Sequence, residues 1–151
     1  MTTPIADPIN IFSGEPGLGG ALTNPNELAF SKGCIKQHYP VYFQGTRYAD
    51  VERAYEVLGE TAVDATARGE LLIALIAAKF AQYPALAQEV RLRGGEAWLA
   101  RCSHYTRART PGAKAWEGQG IRSAFIRALI AGYLKAEAGG GYRPPEQQAL
   151  F

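Results

Sequence analysis

Apolar residues recur at helical period in four stretches of the chain, and the segments between them are rich in glycine, proline and polar side chains. In "VERAYEVLG", residues 51–59, Val51, Tyr55 and Leu58 fall on one stripe; Asp50 stands at the N-cap position and Gly59 where the helix would stop. The stretch over about 65–82 is apolar on nearly all sides between Leu71 and Ala78, the pattern of a central buried helix whose most buried part is 71–80. Pro84 suits the first turn of a third helix that stops at Gly94. Over about 121–137, Phe125, Ile126, Leu129, Ile130, Tyr133 and Leu134 make a wide core stripe, followed by Gly139, Gly140 and Gly141.

Period-two signals are fewer. "CIKQHYPVYFQGTRY" has β-branched and aromatic residues around Gln44-Gly45-Thr46 and predicts a β-hairpin whose second strand runs to Tyr48. "EAWLARCSH" predicts a further strand at 97–102, joining the hairpin in one small sheet. Residues 12–33 read as a long irregular segment with one helical turn at Asn26 to Phe30, and a loop of that length inside a compact domain is usually functional. The pattern as a whole predicts a single α+β domain over 1–138, helices dominating, with a flexible tail over 139–151 that is mobile or docked by Phe151.

Composition narrows the function classes. A chain of 151 residues buries roughly two thirds of its unfolded surface without a disulfide scaffold. Sixteen basic against fourteen acidic residues leave a charge of +2, too little to argue a nucleic-acid footprint from charge alone. Cys34 and Cys102 stand far apart with no CxxC pattern, which points to reduced thiols. No His, Asp and Glu cluster stands at ligand spacing, so neither a metal nor another cofactor is expected. The longest apolar run, "LLIALIAA" at 71–78, is far short of a membrane span, and the N-terminal residues carry no apolar h-region. The expectation is a soluble, cytoplasmic protein without a membrane partner.

Four features could carry chemistry. Glu52 and Glu56, four residues apart, share one face of their helix, either as a solvated face or as a pair of working carboxylates. "CSH" puts Cys102 and His104 on the same side of a strand, either as a nucleophile pair or as a buried thiol beside a hydrogen-bonded imidazole. "AWEGQG" sets Trp116 beside Glu117, Gly118 and Gly120 before a helix, which suits a flat ring stacked on the indole, or else a core anchor and a turn. Arg101, Arg107, Arg109 and Lys114, followed by Arg122, form a basic loop, either solvated or gripping phosphate. The glycines of "GLGGALTNP" lack the spacing and the preceding strand of a dinucleotide-binding fingerprint, although their backbone N–H groups could line a phosphate or ribose pocket.

Taken in order, "ALTNP" (21–25), "YPVYFQGTRYADVERAYEV" (39–57), "AAKFAQYPAL" (77–86), the glycine pair 94–95, "CSH" and "WEGQGIRSAFIRALIAGY" (116–133) resemble the NADAR superfamily, also called YbiA-like, over about residues 10–137. Known members are N-glycosidases, some acting on phosphorylated riboflavin-pathway intermediates and others removing ADP-ribose from guanine in nucleic acid. The resemblance implies a catalytic carboxylate at Glu52, a pocket-lining turn at Thr23 and Asn24, and a tryptophan-plus-acid motif at Trp116 and Glu117. Glu117 or Asp64 is then the supporting acid, and Tyr48, Tyr55, His104, Gly118 and Arg122 join the substrate-binding set. Its substrate would be an ADP-ribosyl or related ribosyl-phosphate N-glycoside, with ADP-ribosylated nucleic acid as one form. The chain departs from the family in two places. Gly59 stands where relatives commonly carry a lysine, and Asp64 stands near the position of a tryptophan found in some of them. Lys79 belongs to a different motif and does not stand in for the missing lysine. An alternative reading is a binding module that holds ADP-ribose or a nucleotide without turning it over.

Overall fold

The computed structural model describes residues 4–145. The domain is α+β and mainly helical, with two small antiparallel sheets. Residues 12–33 hold more helix than their composition predicts: α1 (Leu18–Leu22) and α2 (Asn26–Ser31) flank the turn Thr23-Asn24-Pro25. Asn26, fully buried, donates its amide to the carbonyls of Gly20 and Ala21 at 3.0 Å each and so stitches the end of α1 to the start of α2. A Cβ at Gly20 would come within 2.6 Å of the Glu15 carbonyl, which is the close approach that its lack of a side chain permits.

The hairpin forms as its sequence predicts, with β1 (Val41–Phe43) paired to β2 (Thr46–Tyr48) and Val41 opposite Tyr48. Gln44 and Gly45 turn it with φ of 50° and 84°, both positive, as a two-residue turn matched to strand twist requires. Asp50 caps α3 (Val51–Gly59), accepting from the Arg53 amide at 2.8 Å. Asp64 does the same for α4 (Ala65–Gln82) through the Ala67 amide at 2.8 Å. Pro84 opens α5 (Pro84–Arg93), and Gly94 ends it with φ 129°. No single helix among the described residues is long and apolar enough to cross a membrane.

Two expectations need correction. Residues 97–102 do not form a strand: Glu96–Leu99 is a helical turn, α6, entered through Gly95 at φ 63°. Trp98 and Leu99 are both fully buried, an arrangement that a strand, whose neighbours face opposite sides, does not give. The strand is confined to β3 (Ser103–His104), and it pairs with β4 (Gly118–Gln119), not with the hairpin. Residues 120–122 form a 3-10 turn that leaves Ile121 exposed, and α8 (Ala124–Glu137) begins only after Ser123, whose hydroxyl accepts from the Ile126 amide. Between β3 and β4 the basic loop holds one further helical turn, α7 (Pro111–Lys114).

α4 runs through the centre, with Leu72, Leu75, Ile76, Ala77, Ala78 and Phe80 buried. α8 approaches it closely at Gly132, where a Cβ would lie 2.4 Å from Ile76 Cγ2. Gly132→Ala is therefore expected to destabilise by about 2 kcal/mol through overpacking, although alanine is the better helix former. Gly59 offers the contrast, since the nearest atom to a Cβ there is Arg68 Cγ at 3.9 Å and its backbone is helical. Gly59→Ala should stabilise by about 0.5 kcal/mol, and urea midpoints at unchanged slope would check both signs. The tail starts as a packed segment. Tyr142 lies against Phe43 at 5.8 Å between ring centroids, its hydroxyl accepts from the Gly45 amide, and its carbonyl accepts from Gln82 Nε2 at 2.7 Å. Phe151 lies outside the described residues.

Candidate functional site

The turn Thr23-Asn24-Pro25 is held from three sides. Lys79, on the buried face of α4, donates from Nζ to the carbonyls of Ala21 at 2.6 Å and Thr23 at 2.9 Å. Burial pushes its ammonium down to about 7, against the opposing pull of the Asp50 carboxylate. Asp50 accepts from the Glu27 amide of α2 at 3.0 Å as well as from Arg53, so one buried side chain caps two helices. The Glu52 amide donates to the Asn24 carbonyl at 3.3 Å, which fixes the first turn of α3 against the turn between α1 and α2.

These contacts border a cavity of about 550 Å³, within the size range of small-ligand sites. α3 contributes Glu52, Tyr55 and Glu56; the turn contributes Thr23, Asn24 and Pro25. Glu52 is half-buried, and its carboxylate makes no hydrogen bond with another described residue. Burial raises its pKa above the ordinary 4.5, and the charges of Glu56 and Asp50 raise it further. Glu56 pairs loosely with Arg53 at 3.4 Å. The side chains of Thr23 and Asn24, 1% and 7% exposed, also lack a hydrogen-bond partner among the described residues, and both line the cavity.

The far segments supply aromatic and basic groups. Trp116 meets Tyr55 edge-on, at 6.3 Å and 86°. Its backbone carbonyl is fixed by the Ser123 hydroxyl at 2.6 Å. His104 packs on Phe125 at 4.5 Å, and its Nδ1 donates to the Ile11 carbonyl at 2.6 Å, which leaves Nε2 as the acceptor of the neutral ring. Burial holds that imidazole below its ordinary pKa, against the opposing pull of the Ile11 carbonyl and Glu117.

Thus Thr23, Asn24, Glu52, Tyr55, His104 and Trp116 come together in one cavity. Five of the expected residues stand outside its lining. Asp64 is an exposed helix cap, with its carboxylate already accepting from Ala67. Tyr48 ends β2, half-buried against the core. Arg122 is exposed in the 3-10 turn. Gly118, at φ 156°, serves backbone packing: a Cβ would meet the Ser123 amide at 2.8 Å. Glu117 sits one contact behind the cavity, accepting from the amide and hydroxyl of Thr106 at 3.1 and 2.9 Å. Those two donors hold its carboxyl below the ordinary 4.5, and their geometry makes it a positioning group for Thr106.

Cys102 is fully buried and does not line the cavity; burial pushes its thiol up, against a weaker pull from the Ile9 backbone. With His104 Nδ1 committed to Ile11, the pair reads as a structural thiol and a hydrogen-bonded imidazole. The glycines of residues 17–20 are likewise outside the lining, and of the basic-loop cations only Arg107 belongs to it. Sequence reasoning missed Phe12, Ser13, Lys32 and Thr106, which no periodicity or spacing links to Glu52. Phe125 carried a core signal that hid its second role. Family models, curated proteins and solved structures were all compared with this chain, and none matches it.

Proposed function

We propose that this protein is an N-glycosidase that hydrolyses the bond between a ribosyl C1 and a base nitrogen in an ADP-ribosyl or ribosyl-phosphate substrate, ADP-ribose on guanine in nucleic acid being one form. The observation that carries the reading is Glu52, a half-buried carboxylate with no hydrogen-bond partner among the described residues, on a cavity that also holds Trp116, Tyr55 and the unpaired Thr23 and Asn24 side chains. The motif resemblance over about residues 10–137 supports it independently of that geometry. In the reaction the C1–N bond breaks through an oxocarbenium-like state, stabilised by the negative charge of Glu52. Water forms the new C1–O bond and gives its proton to Glu52, the departing base takes a proton on nitrogen from solvent, and Glu52 returns its proton to solvent to close the cycle. A raised pKa makes Glu52 a better base than an ordinary carboxylate. Trp116 and Tyr55 offer faces and edges to the flat base, and Asn24 and Thr23 offer hydrogen bonds to sugar hydroxyls.

The test is turnover of ADP-ribosylated guanine DNA, NAD⁺ and riboflavin-pathway intermediates by wild type and by Glu52→Gln. Wild-type cleavage of one of them, lost in the variant, is the expected result; equal rates in both would remove Glu52 from the chemistry. Gly59 favours a second reading, a protein that holds ADP-ribose without turnover, because the lysine common in relatives is missing and residue 59 does not line the cavity. Calorimetry with ADP-ribose separates the two: tight binding without cleavage of any of the three substrates selects the second.

A further inference from the structure

We infer that Lys32, seated on Ser13, and Arg107, both on the cavity wall, are the groups that bind the phosphate of the ligand. The inference rests on the proposed ribosyl substrate for its sugar and base, but its own support lies in residues that neither the motifs nor the catalytic reading use. Lys32 Nζ donates to Ser13 Oγ at 2.7 Å, and Ser13 is buried, so a long surface side chain is anchored on a fixed hydroxyl at the cavity wall. Neither Lys32 nor Arg107 forms an ion pair with a carboxylate among the described residues, although Glu52 and Glu56 line the same cavity. Positive and negative groups therefore share one cavity without neutralising each other, which is the arrangement wanted by a ligand that is anionic at one end and becomes cationic at its reacting carbon.

The topology brings the segments that carry both cations to the wall of one cavity. Asn10 and Ser103 form a parallel bridge, reinforced by Ile11 N to Ser103 O at 2.8 Å and Ser103 N to Ile9 O at 3.1 Å. Because the two segments run the same way, the residues that follow them, Ser13 on one and Arg107 on the other, leave the pair toward the same end. Asn10 extends the register by exchanging side-chain hydrogen bonds with the backbone of Tyr105 at 2.8 and 2.9 Å. Thr106, locked by Glu117, then presents Arg107 to the cavity. Two cations match the charge of one phosphoryl group, about −1.5 to −2 at neutral pH. A guanidinium supplies paired donors to phosphate oxygens, and an ammonium a point charge. The Asn24 amide, 7% exposed and without a side-chain partner among the described residues, adds a polar group on the cavity wall beyond the two charges.

Calorimetry with ADP-ribose, adenosine and an unmodified DNA oligonucleotide, on wild type, Lys32→Ala, Arg107→Ala and Glu52→Gln, tests the subsite. Lys32 and Arg107 are exposed enough that neither substitution disturbs the core, and circular dichroism would verify it. The expected result is a loss in ADP-ribose affinity of about tenfold or more in each cation variant, a shallower salt dependence, unchanged binding of adenosine, and retained ADP-ribose binding by Glu52→Gln. Competition by the oligonucleotide that disappears in Lys32→Ala would assign the subsite to a nucleic-acid phosphate; competition that is absent assigns it to the phosphate of the ribosyl substrate. Equal ADP-ribose affinity in wild type and Lys32→Ala overturns the inference, as does failure of wild type to bind ADP-ribose at all. Cation-dependent binding by a protein that cleaves nothing would keep the subsite and remove the hydrolase.

Discussion

Glu52→Gln is expected to lower turnover by about 10² to 10⁴ and, in the same protein, to raise the midpoint of thermal unfolding at neutral pH. The rate loss follows from removing both the negative charge near C1 and the base that takes the water's proton. The stability gain follows from the same burial that makes Glu52 useful. Its folded pKa lies above the ordinary 4.5 because of desolvation and the neighbouring Glu56 and Asp50. Between the unfolded and the raised folded value the native state binds more protons, so stability falls as pH rises through that window, and the cost is fully present above it. Glutamine carries no such cost, and the stability difference between the two proteins should vanish once pH drops below the unfolded carboxylate value. The rate profile of wild type carries the matching signature: kcat/KM declines on the acid side through a pKa above 4.5, as Glu52 gains its proton. A variant that lost activity with no gain in stability would point to misfolding of the turn and not to lost chemistry.

Local signals carried the helices. Asp50, Pro84 and Gly94 act within a few residues of themselves, and each delimits the helix that its position predicts. The strand expected at 97–102 failed because a short apolar run does not distinguish a strand from one buried helical turn, and Gly95 at a positive φ tips the chain into the latter. The same locality explains the site. Glu52 and Tyr55 share a helix face, so their meeting is readable from spacing; Thr23, Asn24, His104 and Trp116 were reached through motif order, not through any physical pattern. Asp64 stands outside the cavity lining, as an acid just ahead of a helix has a nearer task, the cap that it performs. Lys32 and Arg107 reach the same cavity through the parallel bridge of Asn10 with Ser103 and the contact of Lys32 with Ser13, contacts between segments with no shared periodicity.

Asp50→Ala is expected to lose about 3 kcal/mol without touching a ligand, from one lost helix cap and one stranded, part-buried amide. The carboxylate serves the Arg53 amide of α3 at 2.8 Å and the Glu27 amide of α2 at 3.0 Å, and its charge favours the ammonium of Lys79. Asparagine keeps an acceptor oxygen, so Asp50→Asn should cost less than half as much, and urea unfolding at unchanged slope would rank them. The pH dependence supplies a second readout. Lys79 has a folded pKa of about 7 against an ordinary 10.5, so the unfolded chain binds the extra proton between those values and stability climbs as pH rises through that window. Removing Asp50 takes away the charge that props the ammonium up, and the onset of the climb should move to lower pH, while Lys79→Met should abolish it. Because Lys79 holds the Ala21 and Thr23 carbonyls and Asp50 ties α2 to α3, the same lesion loosens Asn24 against Glu52. Asp50→Asn, folded at the assay temperature, is then expected to lose turnover while its cavity side chains are all intact; full activity in that variant would show that the turn between α1 and α2 keeps its place without the double cap.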